Sequence, residues 1–570
     1  MMFNSQGKEE VTYDAIVVGS GISGGFAAME LCNRGYKTLV LERGRMVKHG
    51  EYPTAAMDTW DLPNQNLITA EDKARHYFKQ DRLNWWVREE NKHWVNKDDE
   101  YPYDEDQRFD WIRGHHVGGR SIMWGRHCYR WSDIDFEANA KEGIAVDWPI
   151  RYKDIEPWYD YVETFVGVSG QKEGLKQIPD GKFLPPFELN CAEQHLRESV
   201  AKKFPGRVVT PGRVANLTTY DPKVHKGTRG QCQSRARCVR GCPYGAYFSS
   251  LSATLPVAAE TGNMTIRANS IVSEIAYDKE KRKATGVRVI DSETGKTYEF
   301  FAKIIFCNAS TVGSTAILLN SKSEAFPDGL GNTSGELGHN MMDHHYGMGV
   351  SGRLPGFEDT YYKGRKPLGF YIPRFRNIDK ATKRKDYLRG FGYQGSAHRG
   401  FNQTPGIIGK EFKNKLFEPG PYHFYITCFG ELLPYHDNKM YLNFDKKDKH
   451  GMPIITFDAK LRENEMAMRL DGVQSGIDML ASAGCEDITS YNDPTAPGAA
   501  IHEMGTARMG HSSKTSVLNK WNQIHEVPNV FITDGACMTS AGTQNPSITY
   551  MALTARAVDH AHKLAERGEM

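Results

Sequence analysis

The chain has 570 residues, of which 39% are hydrophobic, and this is enough to bury a large core in several domains or in one fold with large insertions. Its 72 Lys and Arg residues nearly balance its 70 Asp and Glu residues, so no strong field favours nucleic acid or an anionic membrane as a partner. A small neutral substrate is therefore the expected class of ligand.

The N-terminal stretch MMFNSQGKEEVTYD is polar and lacks the apolar segment of an export signal. No later run reaches the roughly 18 apolar residues that cross a bilayer. Most of the 10 cysteines are scattered along the chain, which is typical of buried thiols in a reducing compartment. We therefore expect a cytoplasmic chain without direct membrane insertion, and export to the periplasm with a signal-bearing partner subunit stays open.

The first motif lies in the segment YDAIVVGSGISGGFAAMELCNRGYKTLVLERG. An apolar run from Ala15 to Val18 predicts a strand, a glycine turn and a helix follow, and a second strand, 38–41, ends at Glu42. Glycines let backbone N–H groups and a helix N-terminus approach a pyrophosphate, and Glu42 is placed to accept hydrogen bonds from a ribose. The segment predicts a dinucleotide site. Its turn glycines are Gly19, Gly21 and Gly24.

A second segment rich in small residues reads RGHHVGGRSIMWGRHCYRWSDIDFEA. Small residues are typical of a chain that passes close to a flat group, and Trp124 would lie behind them. The segment alone is also compatible with a buried glycine turn. The small residues are Gly114, Gly118, Gly119, Ser121 and Gly125.

A third segment, RGQCQSRARCVRGCPYGAYFSS (229–250), brings together Cys232, Cys238 and Cys242. The spacing contains no paired CxxC and no histidine at the spacing of a four-ligand zinc site. Three thiolates suit a three-iron cluster, and nearby arginines would offset its negative charge. A loop of reactive or disulfide-paired thiols stays open as the alternative. The arginines are Arg235, Arg237 and Arg240.

The middle of the chain predicts strands with one irregular region. The segment from Ser270 to Cys307 alternates in period two and predicts a meander that leads into an apolar strand, and STVGSTAILLNS then predicts a helix. Residues 358–418 are rich in Gly, Pro, Lys and Arg, which indicates a loop-rich insertion or lid. Glu431 either lines a substrate site or is a strand-end carboxylate on a solvated face.

Near the C-terminus lie IHEMGTARMG and NVFITDGACMTSAGTQNPSITYMALTARAVDHA. Pro546 suits the first turn of a helix, where its missing N–H needs no partner, and Asn545 suits the cap. Together, the dinucleotide motif, the GGRSxxWG segment, His502 within HxMGTxRMG, and Asp534 before this helix start resemble the glucose-methanol-choline (GMC) flavoprotein oxidoreductases. The resemblance covers both ends of the chain and most of its middle.

The resemblance implies an α/β (α+β) fold of two domains. One is a Rossmann-like FAD-binding domain, discontinuous in sequence, that comprises 1–150, 215–335 and 496–570 and contains the cysteine-rich loop 229–250. The other is a substrate-binding domain on an antiparallel sheet, comprising 151–214 and 336–495.

The resemblance also implies the site residues. The start of the C-terminal helix is expected at the pyrimidine edge of the flavin, where its dipole stabilises negative charge. His502 is expected to be the base that removes the hydroxyl proton as hydride passes to flavin N5, while Asn545 orients the substrate oxygen. The expected FAD contacts are Gly19, Gly21, Gly24, Glu42, Gly118, Gly119, Ser121, Trp124, Gly125, Val272, Asp534, Asn545 and Pro546.

The segment RGCPYGAYFSSLSATLP looks especially like a bacterial branch of the family, the glucose and glucoside 3-dehydrogenases. That likeness implies a 3Fe-4S cluster on the three cysteines, a small accessory subunit and a cytochrome or other electron acceptor. We therefore predict an FAD-dependent dehydrogenase that oxidises a secondary hydroxyl of a pyranose or glucoside, with C3 as the candidate position. The alternatives are an oxygen-using sugar or alcohol oxidase with structural cysteines, and an FAD-containing lyase without net redox turnover.

Overall fold

The computed structural model describes residues 3–9, 11–357, 368–401 and 406–570. Part of the predicted insertion, 358–367 and 402–405, lies outside the described residues. In chain order the strands are β1 (Tyr13–Val18), β2 (Thr38–Leu41), β3 (Asp104–Glu105), β4 (Thr210–Pro211), β5 (Met264–Arg267), β6 (Ser270–Asp278), β7 (Lys283–Asp291), β8 (Thr297–Cys307), β9 (His344–His345), β10 (Met348–Leu354), β11 (Phe370–Ile372), β12 (Phe391–Phe401), β13 (Pro419–Glu431), β14 (Lys439–Lys447), β15 (Pro453–Asp458), β16 (Glu486–Asn492), β17 (Gln523–Ile524) and β18 (Val527–Phe531).

The helices connect these strands and cover the sheets. They are α1 (Ile22–Asn33), α2 (Ala70–His76), α3 (Asp133–Phe136), α4 (Ala138–Glu142), α5 (Tyr152–Val166), α6 (Cys191–Lys203), α7 (Thr254–Glu260), α8 (Ser310–Asn320), α9 (Gly409–Phe417), α10 (Glu463–Ser482) and α11 (Ser547–Glu566). Across the described ranges, none of them combines the length and apolar character that crossing a membrane requires.

The first sheet has a parallel centre, in the order β17-β18-β8-β1-β2-β5, and the meander strands β6 and β7 join it through β8. Its central strand β1 is apolar and buried from Ala15 to Val18, as expected for a parallel strand covered on both faces. Ala15 pairs with Thr38 on one side and Ile304 on the other. The predicted strand, turn, helix and meander are all present, and this part of the fold is Rossmann-like.

The second sheet is antiparallel, in the order β16-β10-β13-β12-β11-β4, with β9 paired to β13. Helix α10 covers one face, where Met468, Met479 and Leu480 pack with apolar strand residues into a separate core. A small third sheet joins β3 to β14 and β15. All strands of the first sheet lie within the segments predicted for FAD binding, and all strands of the second lie within those predicted for substrate. The domain boundaries stay a prediction.

The described part of 358–418 corrects the prediction of a loop-rich insertion. Strand β12 lies there, inside the antiparallel sheet between β11 and β13. Its glycines obscured the strand pattern in the sequence, and packing explains one of them, since a Cβ on Gly395 would lie 2.6 Å from the ring of Phe370 on β11. The glycine makes room for a neighbouring ring instead of marking a loop.

Candidate functional site

A cavity of about 560 Å³ opens between the carboxyl ends of β1 and β2, the 118–125 segment and the start of α11. This is the edge of a parallel sheet where such folds bind their ligands. Most of the predicted site residues meet at this cavity although they come from distant parts of the chain. Those that line it are Gly19, Gly21, Glu42, Gly119, Ser121, Trp124, Gly125, Val272, His502, Asp534, Asn545 and Pro546.

Two of the predicted glycines do not line the cavity. A Cβ on Gly24 would lie 1.9 Å from the carbonyl oxygen of Gly19, so Gly24 permits the close packing of α1 on the turn. Gly118 has φ +93° and faces Leu251, where a Cβ would meet the side chain at 2.9 Å. Both glycines shape the backbone around the cavity, and their role as FAD contacts stays a prediction.

The phosphate end of the cavity fits a dinucleotide. Helix α1 begins after Gly21, with no side chain capping its N-terminus and no acidic residue in its first turn, so its N–H groups and dipole are available to an anion. A Cβ on Gly21 would meet no protein atom within 4 Å, and the space it faces is the cavity itself. These features fit the pyrophosphate of FAD.

Glu42 is held in place at the end of β2. Its Oε2 accepts hydrogen bonds from the Ser20 hydroxyl at 2.6 Å and the Ser20 backbone N–H at 3.1 Å, and its Oε1 accepts from the Gly44 backbone N–H at 2.9 Å. Burial raises the pKa of this carboxyl above its usual value, against the effect of these hydrogen bonds. A carboxylate fixed at this point of the cavity suits a ribose.

His502 lies in the same cavity within a chain of side-chain contacts. Its Nε2 lies 3.2 Å from Asn545 Nδ2, and its Nδ1 lies 2.8 Å from His344 Nδ1. Asn545 Oδ1 in turn accepts a hydrogen bond from Gln394 Nε2 at 2.7 Å. Burial, together with His344 and the cation of Arg120, holds the pKa of His502 well below its usual range. The ring is therefore neutral near pH 7 and carries a lone pair on one of its two nitrogens.

The backbone that carries His502 is fixed by one carboxylate. Asp343 accepts hydrogen bonds from the backbone N–H groups of Gly498 at 2.7 Å, Ala500 at 3.2 Å and His502 at 3.0 Å. Burial, with a smaller effect from Glu503, raises the pKa of Asp343 to about 7. The backbone at His502 is thus held by main-chain hydrogen bonds to Asp343.

The predicted capping role of Asn545 is wrong. Helix α11 starts at Ser547, its cap is Pro546, and no side chain bonds to the cap N–H groups. The Asn545 side chain turns instead to His502 and Gln394. The free helix N-terminus faces the cavity, together with Asp534, whose carboxylate accepts from Ser314 Oγ and the Ala536 N–H.

The three cysteines line one small cavity of about 30 Å³, next to the large one. All three are free thiols, so the predicted disulfide alternative is not formed. Val239, the residue after Cys238, lines the large cavity. Among the described residues, however, no group of three or more His, Cys, Asp or Glu side chains is arranged to hold a metal ion.

Two of the three predicted arginines around the cysteines differ from the prediction. Arg237 pairs with Asp58, and Arg240 Nε contacts Glu90 Oε2 at 2.7 Å, so their charges are already matched. Arg229 is buried beside Cys242; it bonds backbone carbonyls, and its Nη1 has no partner among the described residues. Arg229 and Arg235 are therefore the cations placed to offset negative charge on the cysteine thiolates, and Arg235 lines their cavity and bonds the backbone carbonyl of Ala55.

Sequence reasoning missed several cavity residues. An aromatic wall is formed by Trp85, Tyr346 and Phe429, with ring centroids 5.7 Å apart for the first pair and 5.4 Å for the second. Glu431 fits neither of its predicted places, because it is buried away from the cavity and contacts Arg374 Nη1 at 3.1 Å. No spacing in the sequence connects these residues.

Comparisons with known proteins agree with this architecture. The chain is 28% identical to 2-methyl-1,2-propanediol dehydrogenase of Mycolicibacterium austroafricanum over 96% of this chain and 94% of that protein. It is 26% identical to the fructose dehydrogenase large subunit of Gluconobacter japonicus over 97% of this chain and 98% of that one. A mutant formate oxidase of Aspergillus oryzae RIB40 has the same fold, with a TM-score of 0.63, 14% identity, and coverage of 99% of this chain and 100% of its own.

Two family models match the chain and together span most of it. The N-terminal GMC oxidoreductase model matches residues 13–346, and the C-terminal GMC oxidoreductase model matches residues 434–554. With the glycine turn, the cavity and the His502–Asn545 pair in place, the chain belongs to the GMC family of FAD-dependent oxidoreductases, which act on CH–OH groups.

Proposed function

We propose that this protein is an FAD-dependent dehydrogenase that oxidises a secondary ring hydroxyl of a pyranose or glucoside, with C3 as the candidate position. The observation that carries the proposal is the contact of His502 with Asn545 inside the cavity that begins at the Gly21 turn. A neutral base and an amide donor thus lie together in a cavity suited to a dinucleotide.

The residues account for the proton that alcohol oxidation releases. When bound, FAD supplies the hydride acceptor. His502 Nε2 accepts the hydroxyl proton, and Asn545 Nδ2 donates a hydrogen bond to the substrate oxygen as it becomes a carbonyl oxygen. Arg120 forms an ion pair with Glu503 beside His502, with Nη2 at 2.8 Å from Oε2. Because its charge is already paired, we assign it to holding the loop and not to the proton transfer.

The aromatic wall supports a sugar as substrate. Trp85 is 39% exposed, and Tyr346 and Phe429 line the cavity next to it. The three rings therefore offer an aromatic face to a ligand that enters the cavity. A pyranose presents an apolar C–H face that packs on such rings, while its hydroxyls bond to polar groups such as Gln394. The mixed surface suits an apolar-faced polyol better than a purely hydrophobic alcohol.

We further propose a 3Fe-4S cluster on Cys232, Cys238 and Cys242. Three observations support it: the thiols share one cavity, Val239 places that cavity beside the large one, and the unpaired cation of Arg229 favours an anionic group there. Such a cluster carries electrons one at a time away from a two-electron site. The rival is an oxidase that passes electrons directly to oxygen and keeps the cysteines as structural thiols.

A dehydrogenase that does not reduce oxygen needs an external electron acceptor. We propose a small accessory subunit and a cytochrome or similar carrier as partners, and neither nucleic acid nor a membrane as a direct one. The relative from Gluconobacter japonicus is named as a large subunit, which supports a partner chain here. The chain would be cytoplasmic alone, or periplasmic if exported with a partner that carries a signal.

Changing Cys238 to Ser tests the cluster. The wild-type protein is expected to contain about three irons per flavin, since three thiolates complete a three-iron cluster. Cys238→Ser is expected to lose the iron and the turnover with external acceptors, while anaerobic reduction of the flavin by substrate continues. Metal analysis and the two half-reactions measured separately give the answer.

The matched control is Cys485→Ser, which changes a partly buried thiol outside both cavities and is expected to keep iron and turnover. An iron-free wild-type protein with full oxygen-dependent activity would exclude the cluster. It would also identify the protein as an oxidase, without affecting the proposed roles of His502 and Asn545.

A further inference from the structure

The structure places a second histidine behind His502. His344 lies on β9 and is buried, with Nε2 at 2.8 Å from the carbonyl oxygen of Gly542 and Nδ1 at 2.8 Å from Nδ1 of His502. We propose that His344 is a positioning residue that keeps the ring proton of His502 on Nδ1 and so leaves Nε2 bare to act as the base. The proposal rests on the proposed function and deepens it.

The carbonyl oxygen of Gly542 can only accept a hydrogen bond. His344 Nε2 must therefore carry a hydrogen and donate it. A neutral imidazole has one N–H, so Nδ1 of His344 holds a lone pair. His502 Nδ1 then has to be the donor in the contact between the two rings. The remaining nitrogen, Nε2 of His502, is left without a proton.

The opposite arrangement is excluded by its contacts. A neutral His344 with its proton on Nδ1 would set the lone pair of Nε2 against the Gly542 oxygen at 2.8 Å. A doubly protonated His344 would satisfy both contacts, but burial lowers the pKa of this ring to about 4, so it is neutral near pH 7. The buried pocket thus permits one proton arrangement.

The contact of His502 with Asn545 agrees with this arrangement. Asn545 Nδ2 can donate only to a nitrogen that carries a lone pair, and it lies 3.2 Å from Nε2 of His502. Its Oδ1 accepts from Gln394 Nε2, which turns the amide donor towards the histidine. A substrate hydroxyl that enters between them meets one acceptor, His502 Nε2, and one donor, Asn545 Nδ2.

The two rings are also held in register by their backbones. Asp343 Oδ1 accepts hydrogen bonds from the backbone N–H of both His344, at 2.8 Å, and His502, at 3.0 Å. In the described part of the chain, the ring contacts of His502 go to His344 and Asn545 and not to a carboxylate. A neutral histidine therefore does here what an aspartate does in the hydrolase triads, without adding a negative charge.

Three replacements of His344 separate the proton arrangement from packing. Asn places its Oδ1 where the ring Nδ1 lies, so His344→Asn retains an acceptor for His502. His344→Gln carries its polar atoms one position further, towards Gly542, and His344→Phe keeps the ring shape with no polar atom. The control is His345→Phe, which changes the neighbouring buried ring that contacts Met468.

We expect all variants to bind FAD. The rate of flavin reduction at saturating substrate is expected to fall about 10²-fold in His344→Phe and His344→Gln, within the range of a lost acid–base function. His344→Asn is expected to recover at least tenfold of that loss, KM is expected to change little throughout, and His345→Phe is expected to stay near the wild-type rate. Equal rates in His344→Phe and His344→Asn would overturn the proposal. A faster rate in His344→Phe, which keeps only the ring shape, than in His344→Asn would overturn it as well.

A second measurement needs no substrate and therefore stands apart from the proposed function. Nitrogen-15 NMR of the holoenzyme labelled at histidine, with His502 assigned by its loss in His502→Ala, reports which ring nitrogen is protonated. We expect a protonated Nδ1 and a bare Nε2 on His502 in the wild type, and a mixture in His344→Phe. A protonated Nε2 in the wild type would overturn the inference even if sugars reduce the flavin.

Discussion

His502→Ala is expected to bind FAD normally and to slow flavin reduction by substrate by about 10²- to 10⁴-fold, the usual contribution of a positioned acid–base group. The ring places its Nε2 beside the Asn545 amide nitrogen, so its loss removes the proposed acceptor of the substrate proton. The loop itself should persist, because Asp343 holds it through backbone N–H groups. Anaerobic stopped-flow absorbance, with FAD content measured on the same samples, checks both parts.

The control for this change is His339→Ala, which removes a histidine outside the cavity that bonds the backbone carbonyl of His436. It is expected to leave the rate of reduction unchanged. A near-normal rate in His502→Ala with bound flavin would show that another group accepts the proton, and the assignment of His502 as base would be wrong.

Gly21→Val is expected to yield folded protein that contains no flavin. No protein atom lies within 4 Å of the position that a Cβ would take at Gly21, so the folded chain without cofactor can accept the side chain. The same position faces the cavity at the N-terminus of α1, where the pyrophosphate is expected, so valine would fill the space of the ligand. The ratio of flavin to protein, from absorbance after purification, measures the loss.

Gly21→Ala serves as the graded control, because a single methyl group intrudes less and is expected to weaken FAD binding without abolishing it. Circular dichroism should show the same fold in both variants. Full retention of the yellow chromophore in Gly21→Val would contradict the placement of the phosphate site at this turn. A variant that fails to fold would contradict the open space seen around Gly21.

Local signals in the sequence predicted the dinucleotide half of the molecule well. The first strand, the helix after the glycine turn and the second strand, which ends at Glu42, depend on neighbours in the chain, and the structure has them as β1, α1 and β2. The meander and the helix after it are equally local. The motif does not show why Gly24 must be a glycine. In the structure a Cβ at this position would collide with the carbonyl oxygen of Gly19.

Long-range contacts explain what the sequence could not predict. His344 lies 158 residues from His502, and Gln394 lies 151 residues from Asn545, so no spacing connects either pair. For the same reason Asn545 was expected to cap a helix that it does not cap. Near the cysteines, Arg240 finds its carboxylate partner 150 residues away. The charge of Arg240, which the sequence predicts to be available to the cysteines, is thus already paired in the fold.

The most direct test of oxidation at the His502 site is to add pyranoses and glucosides to the purified holoenzyme without oxygen and to record the flavin absorbance. At least one of these substrates is expected to bleach the flavin band and to yield one carbonyl product per flavin reduced, because oxidation of an alcohol removes a hydride from the C–H bond and a proton from the O–H bond. Conversion of substrate with an unbleached flavin would instead indicate a lyase, and an unreduced flavin across the whole panel would contradict the proposed sugar substrate.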